Sequence, residues 1–206
     1  MSEENPFRIG LALVFLPMLA AWTTNLLRVG LTRDVFYGPA EGLLVAVPIR
    51  VLMVLSVTAI VAYLAQPGWM SWSSASIPAA VRWLGLPLGL GSVALAEWTF
   101  RSLGRGFSMS ITIRDRQALV RDGPYRRVRH PLYTAFLLMW ISFSLLSANW
   151  FIAATGIGGY AIGMIVRTPR EEALLIEAFG QEYVEYERRT SRYLPRIGGS
   201  RCVSAR

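Results

Sequence analysis

Five stretches of this chain lack the alternation of apolar and polar residues that a water-exposed helix or strand would show. They run over 9–27, 43–64, 79–100, 131–147 and 150–166. Crossing the roughly 30 Å of bilayer hydrocarbon takes about 20 mostly apolar residues, so each stretch predicts a membrane-spanning helix. Pro17 interrupts the first. Arg50 enters the second close enough to one end to snorkel toward the interface. Arg82 and Glu97 stand near the two ends of the third. The last two are separated only by Ala148 and Asn149, which predicts a tight turn. The first stretch is too long for the apolar core of a signal peptide and lacks a small-residue cleavage site, so it reads as a span of the mature chain. The expected fold class is all-α: a polytopic membrane protein of about five transmembrane helices, with one membrane-embedded domain over 1–206.

Composition agrees with that pattern. Of the 206 residues, 53% are hydrophobic and only 17% charged, and the mean hydropathy is +0.40. So much apolar surface excludes disorder, and so little charge argues against an ordinary soluble domain. The net charge of +8 would otherwise suggest nucleic acid, but the basic residues sit between apolar runs, so membrane lipids are the expected partner and nucleic acid is not. All 21 basic residues are arginine, a bias typical of a GC-rich genome. Cys202 is alone and cannot pair within the chain. Four residues follow it, where a prenylation signal needs three.

The arginines also predict an orientation. With the N-terminus outside, the segments 28–42, 101–130 and 167–206 face inward and hold 18 of the 21. The segment 66–78 has no charge, and Arg8 alone lies on the outer side. This positive-inside asymmetry puts the polar C-terminal half in the cytoplasm. Trp69, Trp72, Trp83 and Trp150 fall near the outer ends, where indole rings favour the headgroup layer.

Two polar segments carry chemical information. In the first, Asp122-Gly123-Pro124 is a turn signal, and Pro131 suits the first turn of the fourth span. His130, the only histidine, stands at the membrane face beside a run of arginines that can hold the loop against anionic lipid. In the second, Arg167 and Glu171 are four apart and would share a face of a continuous helix. A local reading competes. Thr168-x-x-Glu171 fits a capping box with Pro169 at the first helical position, which would make Glu171 a helix-start residue. Gly159 and Gly163 form a G-x-x-x-G that lets two helix backbones approach. No Walker sequence, Cys/His metal spacing or G-x-S-x-G is present.

The two segments together resemble the isoprenylcysteine carboxyl methyltransferase and phospholipid methyltransferase superfamily of integral membrane enzymes. The pieces, in order, are Leu119-Val120, Gly123-Pro124-Tyr125, Arg129-His130-Pro131-x-Tyr133, an apolar hairpin, and Arg167-x-x-x-Glu171-Glu172. Phe179-Gly180-x-Glu182-Tyr183-x-x-Tyr186 and Leu194-Pro195 complete the set, over about residues 100 to 196. The resemblance implies a membrane methyltransferase using S-adenosyl-L-methionine (SAM) without a Rossmann domain. Its cofactor pocket would lie at the cytoplasmic face, between the loop before the fourth span and the C-terminal helices. Carried over by position, the cofactor contacts would be Gln117, Ala118, Leu119, Val120, Tyr125, His130, Pro131, Leu132, Tyr133 and Glu171. Arg167 would face the acceptor, and Arg167 with Glu171 would form the catalytic pair. Gln117 departs from the histidine often found at its position.

The acceptor implied is lipophilic and enters from the bilayer. The namesake reaction methylates the carboxylate of a prenylated cysteine. A phospholipid amine or a small lipophilic acid, phenol or thiol fits the same residues. An NADPH-dependent membrane reductase and a non-catalytic membrane protein are the readings from other classes. The expected location is the inner membrane of a bacterium.

Overall fold

The computed structural model describes residues 3–29, 43–104 and 119–195, and among them all regular structure is helical. Helix α1 is Asn5–Val29 and α2 is Leu43–Ala65. A 3-10 turn, Pro67–Ser73, leads to a short α3, Ala79–Trp83, which passes through Leu84 into α4, Gly85–Leu103. A second 3-10 turn, Gly123–Arg126, precedes α5, Pro131–Ser147. Helix α6, Trp150–Ile152, continues through a π-helical segment, Ala153–Gly158, into α7, Gly159–Phe179. Last comes α8, Gln181–Arg189.

Among the described residues, four helical stretches are long and apolar enough to cross a membrane: Asn5–Arg28, Ala46–Ala65, Ala79–Leu103 and Trp150–Phe179. The fourth predicted span, Pro131–Ser147, is apolar but shorter, at 17 residues. At 1.5 Å per residue it covers about 26 Å, a little less than the hydrocarbon. Its surroundings account for that. Helix α5 packs against α1, α3, α4, α6 and the π segment, and it buries Ala135, Phe136, Met139, Trp140, Phe143 and Leu146. Enclosed by protein, it answers to its neighbours more than to lipid. The outward faces of α1, α2 and α7 expose Ile9, Leu13, Leu16, Val47, Val51, Val54, Ile162 and Ile165, as lipid-facing helices do.

Small residues set the seams. Gly159 and Gly163 lie against α2: a Cβ on Gly159 would stand 2.9 Å from Leu52 Cβ, and one on Gly163 3.3 Å from Ile49. Gly89 is crossed by Val14 and the Ser142 hydroxyl, and Ser142 Oγ donates to the Gly85 carbonyl at 2.7 Å. The predicted hairpin turn is present. Ala148 adopts the left-handed conformation (φ 45°, ψ 48°), and the Asn149 side chain accepts from the Ile152 amide at 3.1 Å. Asn149 Nδ2 donates to Ser73 Oγ and to the Met70 carbonyl, tying the turn to the 3-10 segment.

Opposite the motif-bearing end, Arg82 is buried and bonds both carboxylate oxygens of Glu4, the Tyr63 hydroxyl and the Leu146 carbonyl. Its guanidinium lies 3.6 Å from the centre of the Phe7 ring. Each nitrogen of this guanidinium, at a span's start, thus donates within the protein.

One expectation is corrected. Thr168 and Pro169 do not open a helix, because α7 runs unbroken from Gly159 to Phe179 with Pro169 inside it. Thr168 Oγ1 turns back to donate to the Met164 carbonyl at 2.7 Å. Glu171 is therefore a mid-helix residue, and Arg167 and Glu171 share a face.

Candidate active site

The site forms where the start of α5 meets the polar end of α7. Pro131 occupies the first turn of α5, where its missing N–H leaves no bond unmade, and His130 precedes it as the N-cap residue. The backbone there is held from outside. His130 N donates to the Arg192 carbonyl at 2.9 Å and Arg129 N to the Ser191 carbonyl at 2.8 Å. Val128 and Ser191 form a parallel bridge. Thr134 Oγ1 donates to the Tyr193 carbonyl, and Tyr193 OH donates to Thr168 Oγ1. Residues 190–193 thus form a strap that joins the loop before α5 to α7.

Beneath the strap, Glu171 and Glu172 diverge. Tyr133 OH donates to Glu171 Oε2 at 3.1 Å, and His130 Nδ1 lies 3.9 Å from the same oxygen. The Glu171 side chain keeps 36% of its surface exposed. Glu172 is buried and takes donors from three side chains. Arg129 bonds Oε1 at 2.9 and 3.1 Å, Arg192 bonds Oε2 at 2.6 Å and Oε1 at 3.2 Å, and His130 Nε2 lies 3.3 Å from Oε1. The paired carboxylate raises the Arg192 guanidinium further above its usual range. Arg129 also reaches the carbonyls of Glu187 and Thr190.

Rings fill the wall. His130 is 5.5 Å from Tyr133 and 6.0 Å from Tyr193, and Tyr133 is 6.2 Å from Tyr160, all between ring centres. Tyr160, Arg167 and Glu171 fall seven and four residues apart along α7, which sets them on one stripe. Burial, with the Glu171 charge adding to it, pushes the Tyr125 phenol well above its ordinary range. The Tyr186 hydroxyl, raised by burial to about 12, donates to the Tyr125 carbonyl at 2.7 Å and secures that loop to α8.

Of the residues singled out in the sequence, His130, Pro131, Tyr133 and Glu171 come together at this corner, and Tyr125 stands within electrostatic reach of Glu171. Arg167 lies one helical turn before Glu171 on α7, and Leu132 follows Pro131 on α5, partly buried. Leu119 and Val120 lie in the partly buried chain leading into the second 3-10 turn. Gln117 and Ala118 lie outside the described residues. Arg129, Arg192 and Glu172 were not singled out as site residues. Arg129 was counted among the arginines that face lipid, yet its side chain is 7% exposed and paired. The only signal for Glu172 was its place beside Glu171. Among the described residues no cluster of three or more His, Cys, Asp or Glu side chains offers a metal site.

Residues 85–177 match the model of the isoprenylcysteine carboxyl methyltransferase (ICMT) family. Protein-S-isoprenylcysteine O-methyltransferase B of Arabidopsis thaliana is 30% identical over 119 residues, which cover 54% of this chain and 57% of that protein. The cobalt-zinc-cadmium resistance protein CzcN of Cupriavidus metallidurans is 33% identical over 117 residues, covering 54% of this chain and 50% of its own length. The chain therefore spans about half the length of these relatives. The solved structure of the eukaryotic intramembrane Ras methyltransferase ICMT superposes with a TM-score of 0.52 at 19% identity, over 73% of this chain and 52% of the other. This integral membrane protein is thus similar to the ICMT family in sequence over residues 85–177, and its helical bundle has a fold like that of the solved ICMT.

Proposed function

We propose that the protein is a SAM-dependent membrane methyltransferase acting on a lipophilic acceptor, with chemistry most like that of protein-S-isoprenylcysteine O-methyltransferases. One observation carries the reading. A half-exposed carboxylate, Glu171, is aimed by Tyr133 beside His130 at the end of an apolar bundle, with Arg167 one turn away on the same helix face.

The donor and acceptor set suits SAM. Glu171 retains acceptor capacity beyond the Tyr133 bond, which fits ribose hydroxyls or an ammonium group. The faces of His130, Tyr133, Tyr160 and Tyr193 fit a planar base or a cation. Tyr125, His130, Tyr133 and Glu171 would hold the cofactor, with Leu119, Val120, Pro131 and Leu132 as neighbours and Gln117 and Ala118 as further positions from the motif. When bound, SAM supplies an electrophilic methyl group on a sulfonium. The residues' task is then orientation and exclusion of water, which can lower a barrier by several kcal/mol. Arg167 would hold an anionic acceptor by charge-assisted hydrogen bonds. A carboxylate or thiolate acceptor needs no base, whereas a phenol or amine must lose a proton.

The apolar side chains exposed on α1, α2 and α7 support an acceptor that arrives from the bilayer, whether a prenylated cysteine carboxylate, a phospholipid or a smaller lipophile. The all-arginine basic set, typical of a GC-rich genome, supports a bacterial inner membrane location, and the arginine asymmetry supports an N-terminus outside with the site in the cytoplasm.

Calorimetric titration of the detergent-solubilised protein with S-adenosylhomocysteine, with NADPH as control, tests the reading. Saturable binding of the first, lost in Glu171→Gln, is the expected result. Binding of NADPH alone, or of neither by folded protein, would overturn it.

A further inference from the structure

The motif comparison assigns nothing to Glu172, yet this buried carboxylate is the most heavily bonded group at the site. We infer that Glu172 is a positioning residue: it takes the Nε2–H of His130 and leaves Nδ1 as a bare acceptor turned toward Glu171. An ionised carboxylate can only accept, so the 3.3 Å contact between Nε2 and Glu172 Oε1 places the hydrogen on Nε2. Glu172 cannot turn away, because Arg129 and Arg192 grip both its oxygens. Their two positive charges also keep it ionised.

The ring itself has little freedom. His130 is 5% exposed, its backbone amide is tied to Arg192, and it packs between Tyr133 and Tyr193. A neutral imidazole protonated at Nε2 carries a lone pair at Nδ1. That nitrogen is 3.9 Å from Glu171 Oε2, beyond hydrogen-bonding reach. Two acceptors side by side ask for a donor-rich group bridging them, an ammonium or a pair of neighbouring hydroxyls. The inference rests on the methyltransferase reading only for what that bridging group belongs to.

His130 is the sole histidine, so imidazole 15N NMR of the full chain, labelled in its histidine ring, reports on this one ring. At about pH 8 the wild type is expected to show a protonated Nε2 and a bare Nδ1. Glu172→Gln is expected to give a mixture of tautomers and about tenfold weaker binding of S-adenosylhomocysteine. Thr134→Val removes the strap contact to the Tyr193 carbonyl while leaving Glu172 and both its arginines in place, and is expected to keep the single tautomer. A wild-type ring protonated at Nδ1 or at both nitrogens would overturn the assignment, as would an unchanged single tautomer in Glu172→Gln. If the tautomer behaves as expected but S-adenosylhomocysteine leaves Nδ1 unmoved, the positioning role stands and the methyltransferase reading falls. Where S-adenosylhomocysteine does move Nδ1, adenosine, with the hydroxyls alone, and methionine, with the ammonium alone, identify which donor is responsible.

Discussion

Arg82 donates to both carboxylate oxygens of Glu4, at 2.8 and 2.7 Å, across 78 residues of chain. The pair joins the start of the first span to the start of the third. Arg82 is the buried member, and Glu4 keeps 37% of its side chain exposed. Glu4→Gln leaves the buried guanidinium without its counter-charge and is expected to cost about 3 kcal/mol. Arg82→Ala leaves a carboxylate that water can reach but removes the bonds to Tyr63 and Leu146, and should cost about 2 kcal/mol. Thermal unfolding of the solubilised protein measures both.

The same pair predicts a pH dependence. The hydrogen bond from Arg82 holds the Glu4 carboxyl below its ordinary value of 4.5. A depressed carboxyl contributes stability that is complete above the unfolded value and lost as pH falls through the folded one. The gap in melting temperature between wild type and Glu4→Gln should therefore stay constant from neutrality down to about pH 5 and close below that. A gap that widens on acidification would contradict the pairing.

Tyr133 and Glu171 make a smaller test of the site. Tyr133→Phe removes one hydrogen bond to a charged acceptor and leaves the ring packing in place. Binding of S-adenosylhomocysteine should weaken by roughly threefold to tenfold, with the melting temperature almost unmoved. Undiminished binding would mean that Glu171 is oriented by other contacts.

For Arg167→Ala the expectation is a split between two measurements. Cofactor affinity should stay within about threefold, while methyl transfer to a lipophilic acceptor falls by roughly a hundredfold, as misplacement of a reactant does. Full turnover would make Arg167 an interfacial anchor.

The seam between α7 and α2 can be tested without touching the site. Gly159→Leu drives a side chain into Leu52 and should destabilise by about 1 to 3 kcal/mol. At Gly91 an added Cβ meets nothing within 4 Å, so Gly91→Ala should be neutral or slightly stabilising. The contrast, read by thermal unfolding, isolates packing from helix propensity.

The apolar runs, the start of α5 at Pro131 and the Ala148-Asn149 turn were all legible in the sequence, because each depends on local residue chemistry. The role of Thr168 was not. A threonine before a proline is the same signature whether it caps a new helix or bonds back to Met164 within an existing one. What decides is that the preceding turn is already helical and carries the chain through Pro169. Arg129 and Arg192 were equally opaque. Their charge is written in the sequence, but whether an arginine meets lipid or a buried glutamate depends on a partner some 20 to 43 positions away. Glu172 therefore emerges only when the strap is in place.

That strap has a consequence for the order of events during synthesis. Thr190 to Tyr193 follow every membrane-spanning segment among the described residues, so a ribosome has delivered those spans before they exist. Until then Glu172 lacks Arg192, the His130 amide lacks its carbonyl, and Thr168 lacks Tyr193. Insertion into the bilayer and completion of the site are thus separate acts. A nascent chain stalled before residue 190 would be an inserted bundle with this corner still open.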